Sequence, residues 1–204
     1  MAETEQPQLY LVTPDRFELS TFKTQLEAVL AAHDVACVRL ALASTDAAEI
    51  GRAADGLRDM CHARDVALVI TDHWRLVRHH GLDGVHLTDG TRSLRDARAD
   101  LGSDAIVGCY CENSRHAGMN AGEAGADYVA FGPMTPDPLL GKGEVADAEL
   151  FQWWSQMIEV PVVAEGGLTR ETILSLRDHT DFWAVGREIW ASDDPATALA
   201  DLIA

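Results

Sequence analysis

The sequence predicts a single-domain (β/α)8 TIM barrel. Three observations carry that expectation: eight short runs rich in β-branched residues, an amphipathic helical stretch after each, and a length of 204 residues that suits one core. Parallel strands need helical crossovers, and right-handed crossovers repeated eight times close into a barrel. An open doubly wound sheet is the alternative, but no Gly-x-Gly-x-x-Gly follows the first strand to support a dinucleotide fold.

The elements follow in order. Residues 9–13 read as the first strand, after a polar tail at 1–8. The next helix puts Phe22, Leu26, Val29 and Leu30 on one face. Strand two covers 35–42, and its helix opens at Asp46-x-x-Glu49, the pattern of a capping box. Ile50, Ala54, Leu57 and Cys61 form that helix's apolar stripe. Strand three (66–71) precedes a short helix at 74–79, and strand four (84–87) a helix at 94–101. Strand five is 105–109, followed by a helix at 114–123 with Asn113 as its cap. Strand six (128–132) runs into a Pro- and Gly-rich loop at 133–143 and then a helix at 148–157. Strand seven is 160–164 with a helix from about Thr169, and strand eight is 182–185. Asp194 caps the closing helix, with Pro195 in its first turn.

Composition narrows the function. Hydrophobic residues make up 47%, and the formal net charge is -17. So acidic a surface repels nucleic acid and anionic membranes, and an anionic substrate would need short-range local donors. No apolar run approaches the roughly 20 residues of a membrane span. The first eight residues lack the basic and apolar regions of a signal peptide, so the expected location is cytoplasmic. The four cysteines, Cys37, Cys61, Cys109 and Cys111, read as small buried hydrophobes in a reducing compartment. No second pair with zinc spacing accompanies Cys109-x-Cys111.

In a barrel, chemistry sits where strands end. Strand seven ends in Ala164-Glu165-Gly166-Gly167 and strand eight in Ala184-Val185-Gly186-Arg187. Glycine lets backbone amides approach an anion, and barrels commonly bind phosphate after these two strands. Gly166, Gly167, Gly186 and Arg187 are therefore the expected phosphate site, Arg187 adding a bidentate contact. Arg39 is the only charge in strand two, and a buried charge needs an anionic partner, either Asp72 or a substrate phosphate. Asp72 and Asp89 follow strands three and four, where two carboxylates can hold Mg2+ against a pyrophosphate or simply cap turns. His73 is placed to act as a base, or is a surface residue. His86, inside strand four, reads as a hydrogen-bonded structural residue.

Four segments resemble the thiamin phosphate synthase / TenI family: Leu9-Tyr10-Leu11-Val12-Thr13, Asp83-Gly84-Val85-His86-Leu87, Gly125-Ala126-Asp127-Tyr128-Val129-Ala130-Phe131-Gly132-Pro133 and Pro161-Val162-Val163-Ala164-Glu165-Gly166-Gly167-Leu168. The resemblance runs through nearly the whole chain in order. It implies a barrel that joins an aminopyrimidine pyrophosphate to a thiazole phosphate. Mg2+ and basic residues stabilise departing pyrophosphate, and the thiazole nitrogen captures the carbocation left behind.

The chain also departs from the family. Where the second strand of the family carries Gln, Arg and Lys at alternate positions, this chain has Cys37, Arg39 and Ala41. The Asn-Asp after strand three is Thr71-Asp72, and the second metal aspartate falls at Thr91, with Asp89 two residues earlier. The serine after strand five is Tyr110, and the one after strand eight is Arg187. The Thr-x-Thr-Lys loop is Asp137-Pro138-Leu139-Leu140, with Lys142 two residues late. The groups that hold pyrophosphate are thinned while the phosphate glycines persist. A sister activity, thiazole tautomerase, uses a histidine where this chain has Pro133.

Three functions follow as expectations. The first is a thiamin phosphate synthase, with Arg39, Asp72, His73 and Lys142 catalytic and Mg2+ on Asp72 and Asp89. The second is a non-catalytic binder of a phosphorylated thiazole or thiamin phosphate. The third is tautomerase-like proton transfer through His73 or Asp72. Trp153, Trp154, Trp183 and Trp190 offer apolar surface for a homodimer.

Overall fold

A computed structural model describes residues 6–136, 140 and 144–204. Eight parallel strands close into a barrel in sequence order: β1 (Gln8–Val12), β2 (Val35–Leu40), β3 (Ala67–Thr71), β4 (Gly84–Leu87), β5 (Ile106–Tyr110), β6 (Tyr128–Phe131), β7 (Val162–Glu165) and β8 (Phe182–Val185). β8 pairs back to β1, Tyr10 facing Ala184. The crossovers are α1 (Leu19–Ala32), α2 (Ala47–His62), α3 (Trp74–His80), α4 (Leu94–Leu101), α5 (Arg115–Glu123), α6 (Ala148–Met157) and α7 (Arg170–Leu176). A short α8 (Arg187–Trp190) precedes the closing α9 (Pro195–Ile203).

Strand alternation sorts the core into two shells. Leu9 and Leu11 of β1, Val38 and Leu40 of β2, and Leu68 and Ile70 of β3 pack under the helices with Phe22, Leu26 and Val29. The intervening residues, Tyr10, Cys37, Val69, Tyr128, Val163 and Ala184, fill the barrel interior. Gly108 leaves the space in which the Tyr128 ring lies. Each fully buried Leu or Ile of the outer shell contributes roughly 1.5–3 kcal/mol. All four cysteines are free and buried. No helix among the described residues is long and apolar enough to cross a membrane.

Several local expectations shift. The tail is shorter than residues 1–8: Gln8 opens β1 and donates to the Asp181 carbonyl at 2.8 Å, Pro7 is buried, and Arg177 donates to Gln6. Ser114, not Asn113, caps α5 by accepting from Ala117 N. The Asp46–Glu49 box is half made: Asp46 accepts from Ala48 N, whereas Glu49 takes the Ser44 hydroxyl. A reciprocal box forms instead between Thr169 and Thr172. β5 and β7 each run further toward the mouth than periodicity suggested, so Tyr110 and Glu165 are strand residues. The tryptophans do not form an exposed apolar face. Trp154 and Trp183 are buried, Trp153 stacks under Arg115, and Trp190 donates to the Val12 carbonyl.

Candidate active site

A cavity of about 620 Å3 opens at the C-terminal ends of β1, β2, β7 and β8. Val12, Thr13, Arg39, Ala41, Glu165, Ala184 and the Gly166–Gly167 and Gly186–Glu188 turns line it, with Leu140 from the loop after β6.

Arg39 forms the floor, and its partner is neither Asp72 nor left to a ligand. Both terminal nitrogens donate to the two carboxylate oxygens of Glu165, across the barrel, with each residue only 5% exposed. Two charges so buried are tolerable only as a well-formed pair. Burial opposes the Arg39 charge most strongly, but the Glu165 carboxylate together with Tyr10 and Tyr128 outweighs it and holds the guanidinium ionised beyond its ordinary range. Nε of Arg39 is buried without a hydrogen-bond partner among the described residues. Beneath the pair, the Tyr10 and Tyr128 hydroxyls are 2.8 Å apart, and His86 Nδ1 lies 2.9 Å from the Tyr128 hydroxyl. His86 is thus hydrogen-bonded, as expected. Burial, and secondarily Arg39, push its pKa well below the ordinary 6.5, so it is neutral.

The glycine turns adopt a shape that side chains resist. Gly166 and Gly167 have φ of 85° and 70°, and a Cβ on Gly167 would collide with the Thr135 hydroxyl. Three backbone amides from the two turns point at one acceptor. Gly167 N and Leu168 N donate to Glu188 Oε1 at 2.9 and 3.1 Å, and Gly186 N donates to Glu188 Oε2 at 2.7 Å. The trio therefore differs from the expected one. Leu168 takes the place of Gly166, whose carbonyl accepts from Met134 N at 2.7 Å. Arg187 follows Gly186 and lines the cavity as expected.

The opposite rim carries the other candidates. Asp72, at φ 59°, accepts from Thr88 N at 2.7 Å and from the Thr88 hydroxyl, tying the end of β3 to that of β4. Asp89 accepts from the Ser93 hydroxyl at 2.7 Å. His73 begins α3 without a side-chain capping bond. None of these three lines the cavity. Among the described residues no group of three His, Cys, Asp or Glu side chains gathers for a metal. Lys142, and the segment Asp137-Pro138-Leu139, lie outside the described residues.

Sequence reasoning missed two carboxylates at the heart of this site, Glu165 and Glu188. Glu165 carried a usable signal, because it ends an apolar strand just as Arg39 interrupts one. Glu188 gave none, since a glutamate in the first turn of a helix is commonplace.

Comparison with known proteins gives the family. A family model described as thiamine monophosphate synthase matches residues 9–189. A thiamine-phosphate synthase of Rhodospirillum centenum is 45% identical over 195 residues, covering 95% of this chain and 94% of the relative. One of Erythrobacter litoralis is 41% identical, covering 98% and 96%. The solved thiamine phosphate pyrophosphorylase of Pyrococcus furiosus superposes with a TM-score of 0.81 at 22% identity, over 96% of this chain and 93% of that one, a likeness of fold. With its barrel, its glycine turns after β7 and β8 and these relatives, the chain belongs to the thiamine monophosphate synthase family.

Proposed function

We infer that the chain is a thiamin phosphate synthase, a transferase that joins an aminopyrimidine pyrophosphate to a thiazole phosphate. The observation that carries this reading is the convergence of the Gly167, Leu168 and Gly186 amides on one anionic group inside the cavity. Converging N–H donors are what a phosphate monoester needs, because they bring hydrogen bonds without demanding a buried cation. In this reading the thiazole phosphate sits in those turns beside Gly166 and Arg187, its ring directed toward Arg39. Glu165 fixes the Arg39 guanidinium, so the floor is rigid and close to neutral.

The pyrophosphate half belongs to the opposite rim. Mg2+ typically takes one or two carboxylates plus phosphate oxygens. Asp72 and Asp89 suit that donor set: they follow neighbouring paired strands, and the hydrogen bonds from Thr88 and Ser93 leave lone pairs on both carboxylates. When bound, Mg2+ neutralises charge building on the departing pyrophosphate. As the carbon–oxygen bond to pyrophosphate breaks, the positioned thiazole nitrogen closes on the carbocation, so the main contribution of the chain is orientation.

A second reading, binding without turnover, is favoured by one observation. Cys37 inside β2 and Ala41 just beyond it flank a single arginine already held by Glu165. One experiment separates the two. The full chain is incubated with both substrates and Mg2+, and thiamin phosphate and pyrophosphate are quantified. Equimolar appearance of both, abolished by chelation, is the expected result. No product with excess Mg2+ would leave only the binder.

A further inference from the structure

Glu188 occupies the place where the phosphate should go. Its carboxylate takes all three converging amides, two from the turn after β7 and one from the turn after β8. A side chain satisfying only its own turn would stop at Gly186 N; this one reaches residues 21 and 20 positions away in sequence. It is half-buried and lines the cavity beside Arg187. A carboxylate and a phosphate cannot share three donors, and their like charges repel at contact distance.

We propose that Glu188 is a resident anion of the phosphate cradle, which an incoming phosphate monoester must displace. The proposal rests on the reading of this cradle as the thiazole phosphate site. Its consequence is a threshold on occupancy. Inorganic phosphate alone, with few contacts beyond the cradle, competes poorly with a tethered carboxylate already in place. A phosphate attached to a heterocycle gains further contacts along the cavity toward Arg39, and those offset the displacement. Glu188 thus raises the affinity that any cradle ligand must supply, a threshold that contacts beyond the cradle help to pass, while keeping the buried amides satisfied when the cavity is empty.

The test is calorimetric titration of inorganic phosphate into the full chain and into Glu188→Gln and Glu188→Ala, each checked for folding by its melting transition. Thiazole phosphate is then added as competitor. Both variants should bind inorganic phosphate about tenfold or more tightly than the parent, once the competing charge is gone. In turnover, KM for thiazole phosphate should fall relative to the parent with kcat little changed. A brace that merely holds the two turns together gives the opposite sign. If the variants bind phosphate as the parent does or more weakly, and thiazole phosphate still competes, the displacement idea is overturned while the cradle stands. If thiazole phosphate fails to compete, or none of the three proteins binds phosphate, the cradle assignment falls and the proposal with it.

Discussion

The two halves of the barrel mouth use polar groups in opposite senses. After β7 and β8, backbone donors from separate turns gather on one acceptor, Glu188. After β3 and β4, acceptors are spread out, Asp72 on Thr88 and Asp89 on Ser93. Donors fixed in the backbone of tight turns need little reorganisation to meet an anion. Carboxylates on side chains can rotate toward a cation and keep a local bond meanwhile. The contrast teaches that the donors after β7 and β8 are built into the chain path, whereas the acceptors after β3 and β4 sit on side chains.

The largest effect should come from the pair that underlies the first half. Arg39→Ala or Glu165→Ala strands a buried charge, which costs about 3–5 kcal/mol and lowers Tm by roughly 10 °C. Replacing both by Met and Leu should recover most of that loss, as thermal unfolding would reveal; single variants that melt with the parent would refute the pair's role. Next comes Gly167→Ala. Its positive φ and the Thr135 collision should cost about 1–3 kcal/mol and raise KM for thiazole phosphate about tenfold or more. Unaltered KM there would remove the backbone from phosphate binding.

On the opposite rim, Asp72→Asn keeps an acceptor for Thr88, so stability should drop by no more than about 1.5 kcal/mol. The Mg2+ concentration for half-maximal turnover should rise about tenfold while KM for thiazole phosphate holds. A matched rise in that KM would erase the division between halves. The smallest effect is that of pH on the interior beneath both. With the folded pKa of His86 below 6.5, the unfolded chain binds the extra proton first. Its contribution is therefore complete above pH 6.5 and is lost as pH falls toward the folded value. Tm should decline with acidification from that point, and His86→Asn should flatten the decline.

The barrel was legible because strand alternation and helical stripes state it eight times over, and small errors at single ends do not alter closure. Arg39 was legible as a buried charge wanting an anion, but Asp72 was an inviting wrong partner. Choosing Glu165 requires knowing that β7, three strands from β2 around the closed barrel, brings its last side chain to Arg39 across the interior, which no local pattern encodes. The glycines after β7 and β8 marked the two turns that meet at the barrel mouth. Which amides converge depends on turn geometry, so Leu168 was passed over for Gly166. Glu188 was invisible because its reach to the neighbouring turn is a three-dimensional fact.

The central claim is that the amides of Gly167, Leu168 and Gly186 hold the phosphate of the thiazole substrate. A crystal structure of the chain with thiazole phosphate tests it most directly. The account predicts phosphate oxygens within hydrogen-bond distance of all three nitrogens, with the Glu188 carboxylate turned out of the cradle. A phosphate seated against Asp72 and Asp89, with Glu188 still on its three amides, would contradict it.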